Sequence, residues 1–107
     1  MADDVIKEIE NEIRDNKIMI YMKGNPTFPQ CGFSAATIEI FEELGKPFQT
    51  VDVLSQPAKR EAIKRYSNWP TIPQVYIDGK FVGGCDIVRE MFTRGELQAL
   101  VDKAFAA

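Results

Sequence analysis

The sequence predicts an α/β protein with a four-stranded mixed sheet flanked by helices on both faces. Three observations carry that expectation. The apolar run Ile18-Met19-Ile20-Tyr21-Met22 leads through a segment of helical spacing to a second extended run at 48 to 53; strand, helix and strand in that order make a right-handed crossover with parallel strands. Asp78-Gly79 stands between alternating apolar residues, the strongest short-range hairpin signal, and adds two antiparallel strands. Four further segments with apolar residues at helical spacing supply the covering layers.

The elements follow in order. Residues 3 to 15 place Val5, Ile6, Ile9 and Ile13 on one helical face, with Asp3 or Asp4 as N-cap and an acidic, solvated outer face. The strand at 18 to 22 is apolar nearly throughout, as a strand buried on both faces must be. Ala35, Ile38, Phe41 and Leu44 then define a helix that Gly45 stops. After the strand at 48 to 53, Ser55 is the expected cap of a third helix with Pro57 in its first turn, burying Ala58, Ala62, Ile63 and Tyr66. Its outer side is expected to be basic, with Lys59, Arg60, Lys64 and Arg65. Trp69-Pro70-Thr71-Ile72-Pro73 ends that helix and leads into the hairpin strands at 74 to 77 and 80 to 82. Gly83-Gly84-Cys85-Asp86 opens a helix with Ile87, Val88, Met91 and Phe92 inward, and beyond Gly95 a last helix buries Leu97, Leu100, Val101 and Phe105.

Composition narrows the function. One domain spanning residues 1–107 is expected, without repeats, linkers or low-complexity segments. A net charge of −3 without a basic run argues against nucleic acid, and no apolar stretch is long enough for a membrane span. The acidic start Met1-Ala2-Asp3-Asp4 is the opposite of a targeting signal, so a reducing, cytoplasmic setting is expected. The chain has no histidine. That excludes a Cys–His catalytic pair and any metal site with a histidine from this chain. Cys31 and Cys85 are the only thiols, too few for a zinc site or an iron–sulfur cluster without ligands from outside.

The run from Lys23 to Ser34 carries the chemistry. It leads from the first strand into the following helix and so sets Cys31 at a helix N-terminus, beyond the carboxyl ends of the parallel strands where ligand sites of such units lie. Unpartnered backbone N–H groups and the positive end of the helix dipole favour a thiolate there, and cysteines so placed ionise at about 3.5 to 7.5. The competing role for Cys31 is that of a small buried hydrophobe. Pro26, Pro29 and Gly32 argue for an open loop instead. The position where a dithiol site holds its second cysteine is Ser34. A hydroxyl can cap the helix or donate to the sulfur, but it cannot resolve a mixed disulfide, so any redox cycle through Cys31 borrows a second thiol.

Lys23 with Cys31-Gly32-Phe33-Ser34, then Trp69-Pro70-Thr71-Ile72-Pro73-Gln74, then Gly83-Gly84-Cys85-Asp86 closely resemble the single-domain CGFS-type monothiol glutaredoxins, which have the thioredoxin fold. The resemblance covers essentially the whole chain. It implies a glutathione site in which Lys23 lies near the sulfur and the glycyl carboxylate and Arg60 contacts that carboxylate. Ile72, before a cis Pro73, would offer its backbone to the cysteinyl part. Cys85 and Asp86 would hold the γ-glutamyl end. Cations facing two carboxylates, with a helix start and an anion for the ligand's ammonium, are what such a tripeptide requires. Each of these charged residues has a plainer role open to it: Asp86 as a helix cap, Lys23 and Arg60 as surface charges.

With Cys31 and one bound glutathione each, two chains present four thiolates, the number a [2Fe–2S] cluster needs. The resemblance implies the same: a glutathione-ligated cluster in a homodimer, with Cys31 as metal ligand, transfer to iron–sulfur acceptor proteins, and pairing with BolA-family proteins. The alternative is an enzyme, a glutathione-dependent thiol–disulfide oxidoreductase with Cys31 as catalytic nucleophile. A regulatory interaction module is a third class that could coexist with cluster binding. Cys85 is either a structural thiol of the glutathione site or the partner of Cys31 in a disulfide.

Overall fold

A computed structural model describes residues 2–106 of the chain. The elements run α1 Ala2–Asp15, β1 Ile18–Met22, α2 Gly32–Leu44, β2 Gln49–Asp52, α3 Pro57–Ser67, β3 Gln74–Ile77, β4 Lys80–Gly83, α4 Cys85–Thr93 and α5 Glu96–Phe105. The sheet order is β2-β1-β3-β4. β1 runs parallel to β2, with Met22 opposite Asp52, and antiparallel to β3. The hairpin turn has positive φ at both Asp78 and Gly79, the conformation an Asp-Gly turn favours.

Alternation along β1 divides the interior in two. Ile18, Ile20 and Met22 point into a core with Ile38 and Phe41 of α2, Val88 of α4, and Leu97 and Val101 of α5. Met19 and Tyr21 point to the opposite face, where Ile9 and Ile13 of α1 pack with Ala62 and Ile63 of α3 and with Tyr76. Every residue of β1 is buried, as expected of a strand covered on both faces. Among the described residues no helix is long and apolar enough to cross a membrane.

Several expectations are corrected. α1 already runs from Ala2, so neither Asp3 nor Asp4 is its cap; an exposed carboxylate such as Asp4 still suits the positive end of the helix dipole. β2 spans only Gln49–Asp52, although the Val53 N–H continues the pairing by donating to the Met22 carbonyl at 2.9 Å. Gln56, not Ser55, holds the N-cap position of α3, without a side-chain cap bond, and the Ser55 hydroxyl donates instead to the carbonyl of Asp52 at 2.9 Å.

The inward face of α3 includes Ala62 and Ile63 as expected but differs at its edges. Ala58 and Tyr66 are exposed, and Lys59 is 4% exposed. Its ammonium donates to Glu8 at 2.8 Å and Glu12 at 2.6 Å, both on α1, and Glu12 also accepts the Tyr21 hydroxyl at 2.7 Å. Two acidic partners therefore make burial of a lysine tolerable. Although burial alone lowers the Lys59 pKa, the bonds to Glu12 and Glu8 raise it above the ordinary lysine value. Ile87 is likewise outside rather than inside, at 38% exposure. It lies over Gly83, where an added Cβ would come within 2.9 Å of its side chain.

Candidate functional site

The β1 exit, α3, the segment before β3 and the start of α4 meet around one cleft of about 510 Å3. All six residues singled out from the sequence line it: Lys23, Cys31, Arg60, Ile72, Cys85 and Asp86. They are scattered over more than half the chain, and the sheet order brings them together beyond the carboxyl ends of β1 and β2.

Cys31 is the N-cap of α2, in extended backbone with φ −155°, and its carbonyl accepts the Ala35 N–H at 2.9 Å. The helix thus begins at the sulfur-bearing residue. The backbone N–H of Ser34 contributes most to holding the Cys31 thiol below the ordinary thiol range; the N–H of Phe33, the charge of Lys23 and the Ser34 hydroxyl add to it against the opposing effect of burial. No side-chain cap bond of standard geometry closes on the sulfur, so the effect is that of oriented dipoles rather than of one strong hydrogen bond. Ser34 is fully buried and its hydroxyl oxygen accepts the backbone N–H of Lys23 at 3.1 Å.

The loop before Cys31 is closed on itself. The Gln30 N–H donates to the Lys23 carbonyl at 2.9 Å, and the Asn25 carboxamide oxygen accepts the N–H groups of Thr27 and Phe28 at 3.0 and 2.9 Å. Phe28 at its tip is 68% exposed and Phe33, on the cleft rim, 59%.

Across the cleft, the Ile72–Pro73 bond is cis. Ile72 makes no main-chain hydrogen bond among the described residues, so its N–H and C=O are available to an extended ligand. Cys85 is the first residue of α4, after Gly84, and Asp86 is exposed in the first turn. Cys31 and Cys85 are both free thiols.

Two features escaped the sequence reading. Lys64 also lines the cleft, one turn of α3 beyond Arg60; the i, i+4 spacing of two cations on one helix was the signal that could have found it. The Arg89 guanidinium lies 3.4 Å from the Cys85 sulfur, again one turn apart, and no motif announces that contact.

The wall therefore carries three cations from Lys23, Arg60 and Lys64, with the α4 N-terminus and Asp86 contributed from elsewhere. Arg60 Nε and Trp69 Nε1 are buried donors without a partner among the described residues. Donors exceed acceptors, which suits a ligand with two carboxylates, and the volume is that of an ordinary small-ligand site. Glutathione fits this donor set. Among the described residues no group of three or more His, Cys, Asp or Glu side chains could hold a metal ion, so a metal at Cys31 needs ligands from outside the chain.

A thiol at the start of α2 without a second cysteine at position 34, above parallel strands and across from a cis-proline, defines a thioredoxin-fold thiol protein. The glutaredoxin family model matches residues 18–82. An uncharacterized monothiol glutaredoxin of Synechocystis sp. is 50% identical over 99 residues, 92% of each chain. Glutaredoxin 4 of Escherichia coli K12 is 48% identical over 101 residues, 94% of this chain and 88% of that one. The solution structure of reduced apo GrxS14 from poplar matches with a TM-score of 0.85 and 43% identity, covering 96% of this chain and 94% of that one. The chain belongs to the glutaredoxin family, and Ser34 at the last position of its Cys-x-x-Ser site, where a dithiol member holds a second cysteine, makes it a monothiol member.

Proposed function

We propose that the protein binds glutathione in this cleft and, as a homodimer, carries a [2Fe–2S] cluster that it passes to iron–sulfur acceptor proteins. The observation that carries this reading is the pairing of one favoured thiolate, Cys31, with a cationic cleft beside it and no second cysteine at position 34. Cys31 is the cluster ligand of each chain. Lys23, Arg60 and Lys64 attract the carboxylates, Ile72 orients the middle residue through its backbone, and the α4 start with Cys85 and Asp86 receives the γ-glutamyl end. Glutathione supplies the second thiolate of each subunit, giving four in the dimer. A set of ligands of which half can exchange suits delivery rather than storage. BolA-family proteins are a second class of partner, and the cytoplasm, where thiols stay reduced, is the setting.

Replacing Cys31 by serine is the direct test. The variant should fold normally and hold no cluster after anaerobic reconstitution; retained cluster overturns the reading.

The lowered Cys31 pKa also favours a second activity, removal of glutathione from protein mixed disulfides. The Cys31 thiolate would attack the glutathionyl sulfur, forming a Cys31–glutathione disulfide and releasing the protein thiolate. A second glutathione would then regenerate Cys31 and leave as glutathione disulfide. High turnover on a glutathionylated protein would rank this activity above cluster delivery.

A further inference from the structure

We propose that Asp52 is a positioning residue of the cleft, one carboxylate oxygen that ties the loop leaving β1 to the loop leaving β2. It thereby sets Lys23 and Cys31 at their distance from Arg60 and Lys64. Asp52 ends β2 and stands opposite Met22, the last residue of β1. Its Oδ1 accepts the backbone N–H of Gly24 at 2.9 Å and that of Leu54 at 2.9 Å. Gly24 lies in the loop that carries Cys31, and Leu54 in the connection to α3, which carries Arg60 and Lys64. The bond from the Val53 N–H to the Met22 carbonyl is the last main-chain link between the two exits among the described residues. Beyond it, Asp52 is the bridge.

The loop at the Gly24 end is stiff enough to transmit that placement. Gly24 has φ +86°, and a Cβ there would lie 2.5 Å from the Phe28 carbonyl oxygen and 2.7 Å from the Gln30 nitrogen. The Gln30-to-Lys23 bond closes its base, and the Asn25 carboxamide oxygen holds its tip, so the loop is bonded to itself up to the residue before Cys31. Ser34 holds the same segment to α2, the helix that follows it. Among the described residues, the bond to Asp52 is the one hydrogen bond that holds it to the neighbouring strand. A carboxylate so near the site does nothing for an anionic ligand by its charge, so its use lies in the two bonds it accepts.

This inference rests on the glutathione reading of the cleft, and two measurements on the apo chain separate the two. The first is amide hydrogen exchange at Gly24 and Leu54 against Ile20 in β1. The second is titration with glutathione. Asp52→Ala loses both bonds and should speed exchange at Gly24 and Leu54, and weaken glutathione, by about five- to thirtyfold, the factor one or two such net bonds amount to, with Ile20 unchanged. Asp52→Asn keeps the oxygen acceptor and should stay within about twofold of the parent chain in both. Unchanged exchange at Gly24 in Asp52→Ala overturns the proposal, as does an Asp52→Asn chain no better than Asp52→Ala in binding. If the parent chain takes up no glutathione, the ligand reading fails. The exchange measurement then decides on Asp52 alone, with rescue by asparagine upholding the tether and its absence overturning it.

Discussion

The backbone N–H of Lys23 donates to the Ser34 hydroxyl at 3.1 Å, joining the end of the first strand to the first turn of the helix that begins at Cys31. The hydroxyl is completely buried. The position where a dithiol protein keeps its resolving cysteine is therefore a structural brace here. Ser34→Ala leaves the partly buried Lys23 N–H without this partner, and such a loss costs about 1–3 kcal/mol. Denaturant unfolding should show that decrease with an unchanged m-value.

The Cys31 thiol ionises below the ordinary thiol range, chiefly through the Ser34 N–H and with help from Lys23. Its alkylation rate plotted against pH should have a midpoint below about 8.5, the value of a free cysteine. Lys23→Gln should move the midpoint up, and only part of the way, because the backbone dipoles remain. For stability the sign is that of an acid with a depressed folded pKa. The contribution is present above the unfolded thiol pKa and is lost as pH falls through the lower folded value. A midpoint at or above that of free cysteine contradicts this account.

Lys59 presents the reverse sign. Its folded pKa is raised, so its contribution is complete below the unfolded lysine value of about 10.4 and disappears only as pH rises through the folded value. Between pH 6 and 8 that contribution is complete and constant, so Lys59 adds no pH dependence to stability there. Lys59→Ala removes the buried stem and leaves Glu8 and Glu12 without their cation. Glu8 is 58% exposed and recovers solvent, so the loss should be about 1–3 kcal/mol, below that of a fully buried pair. Lys59→Met keeps the stem and should lose less. Thermal unfolding of the two variants side by side checks that order.

Gly24→Ala puts a methyl against the Phe28 carbonyl and the Gln30 nitrogen in a backbone conformation with φ +86°. It should cost more than the roughly 1 kcal/mol of an ordinary left-handed alanine, because backbone rather than a flexible side chain must give way. Glutathione affinity should fall with it, measured by titration at a temperature where the variant is folded. An alanine chain with full stability and affinity contradicts the closed loop.

The strands, the hairpin and the helix starting at Cys31 were legible because their signals are local: an apolar run, an Asp-Gly turn, a glycine stop. Of the six residues singled out, five came with their motifs and Arg60 with the family resemblance, and the structure brings all six to the lining of one cleft. The edge of the α3 inward face, beyond Ala62 and Ile63, was not. The apolar spacing of the helix is too sparse to fix that edge, and the deciding fact lies far away in sequence, in the carboxylates of Glu8 and Glu12 that admit Lys59. Ile87 was misplaced for a similar reason. Helical periodicity counts it as inward, whereas the cleft rim and the bare backbone of Gly83 give it a half-exposed seat. Asp52 carries no motif at all, because its value comes from joining the N–H of Leu54, two residues on, to that of Gly24, which the parallel register brings within reach.

The central claim is that Cys31 and a bound glutathione from each of two chains together hold the cluster. Anaerobic reconstitution with iron, sulfide and glutathione, followed by absorption spectra across a size-exclusion column, tests it most directly. The account predicts visible absorption travelling with a dimer and lost when glutathione is withdrawn. A colourless monomer under every condition contradicts cluster carriage, and colour that persists in a dimer without glutathione contradicts the ligand set.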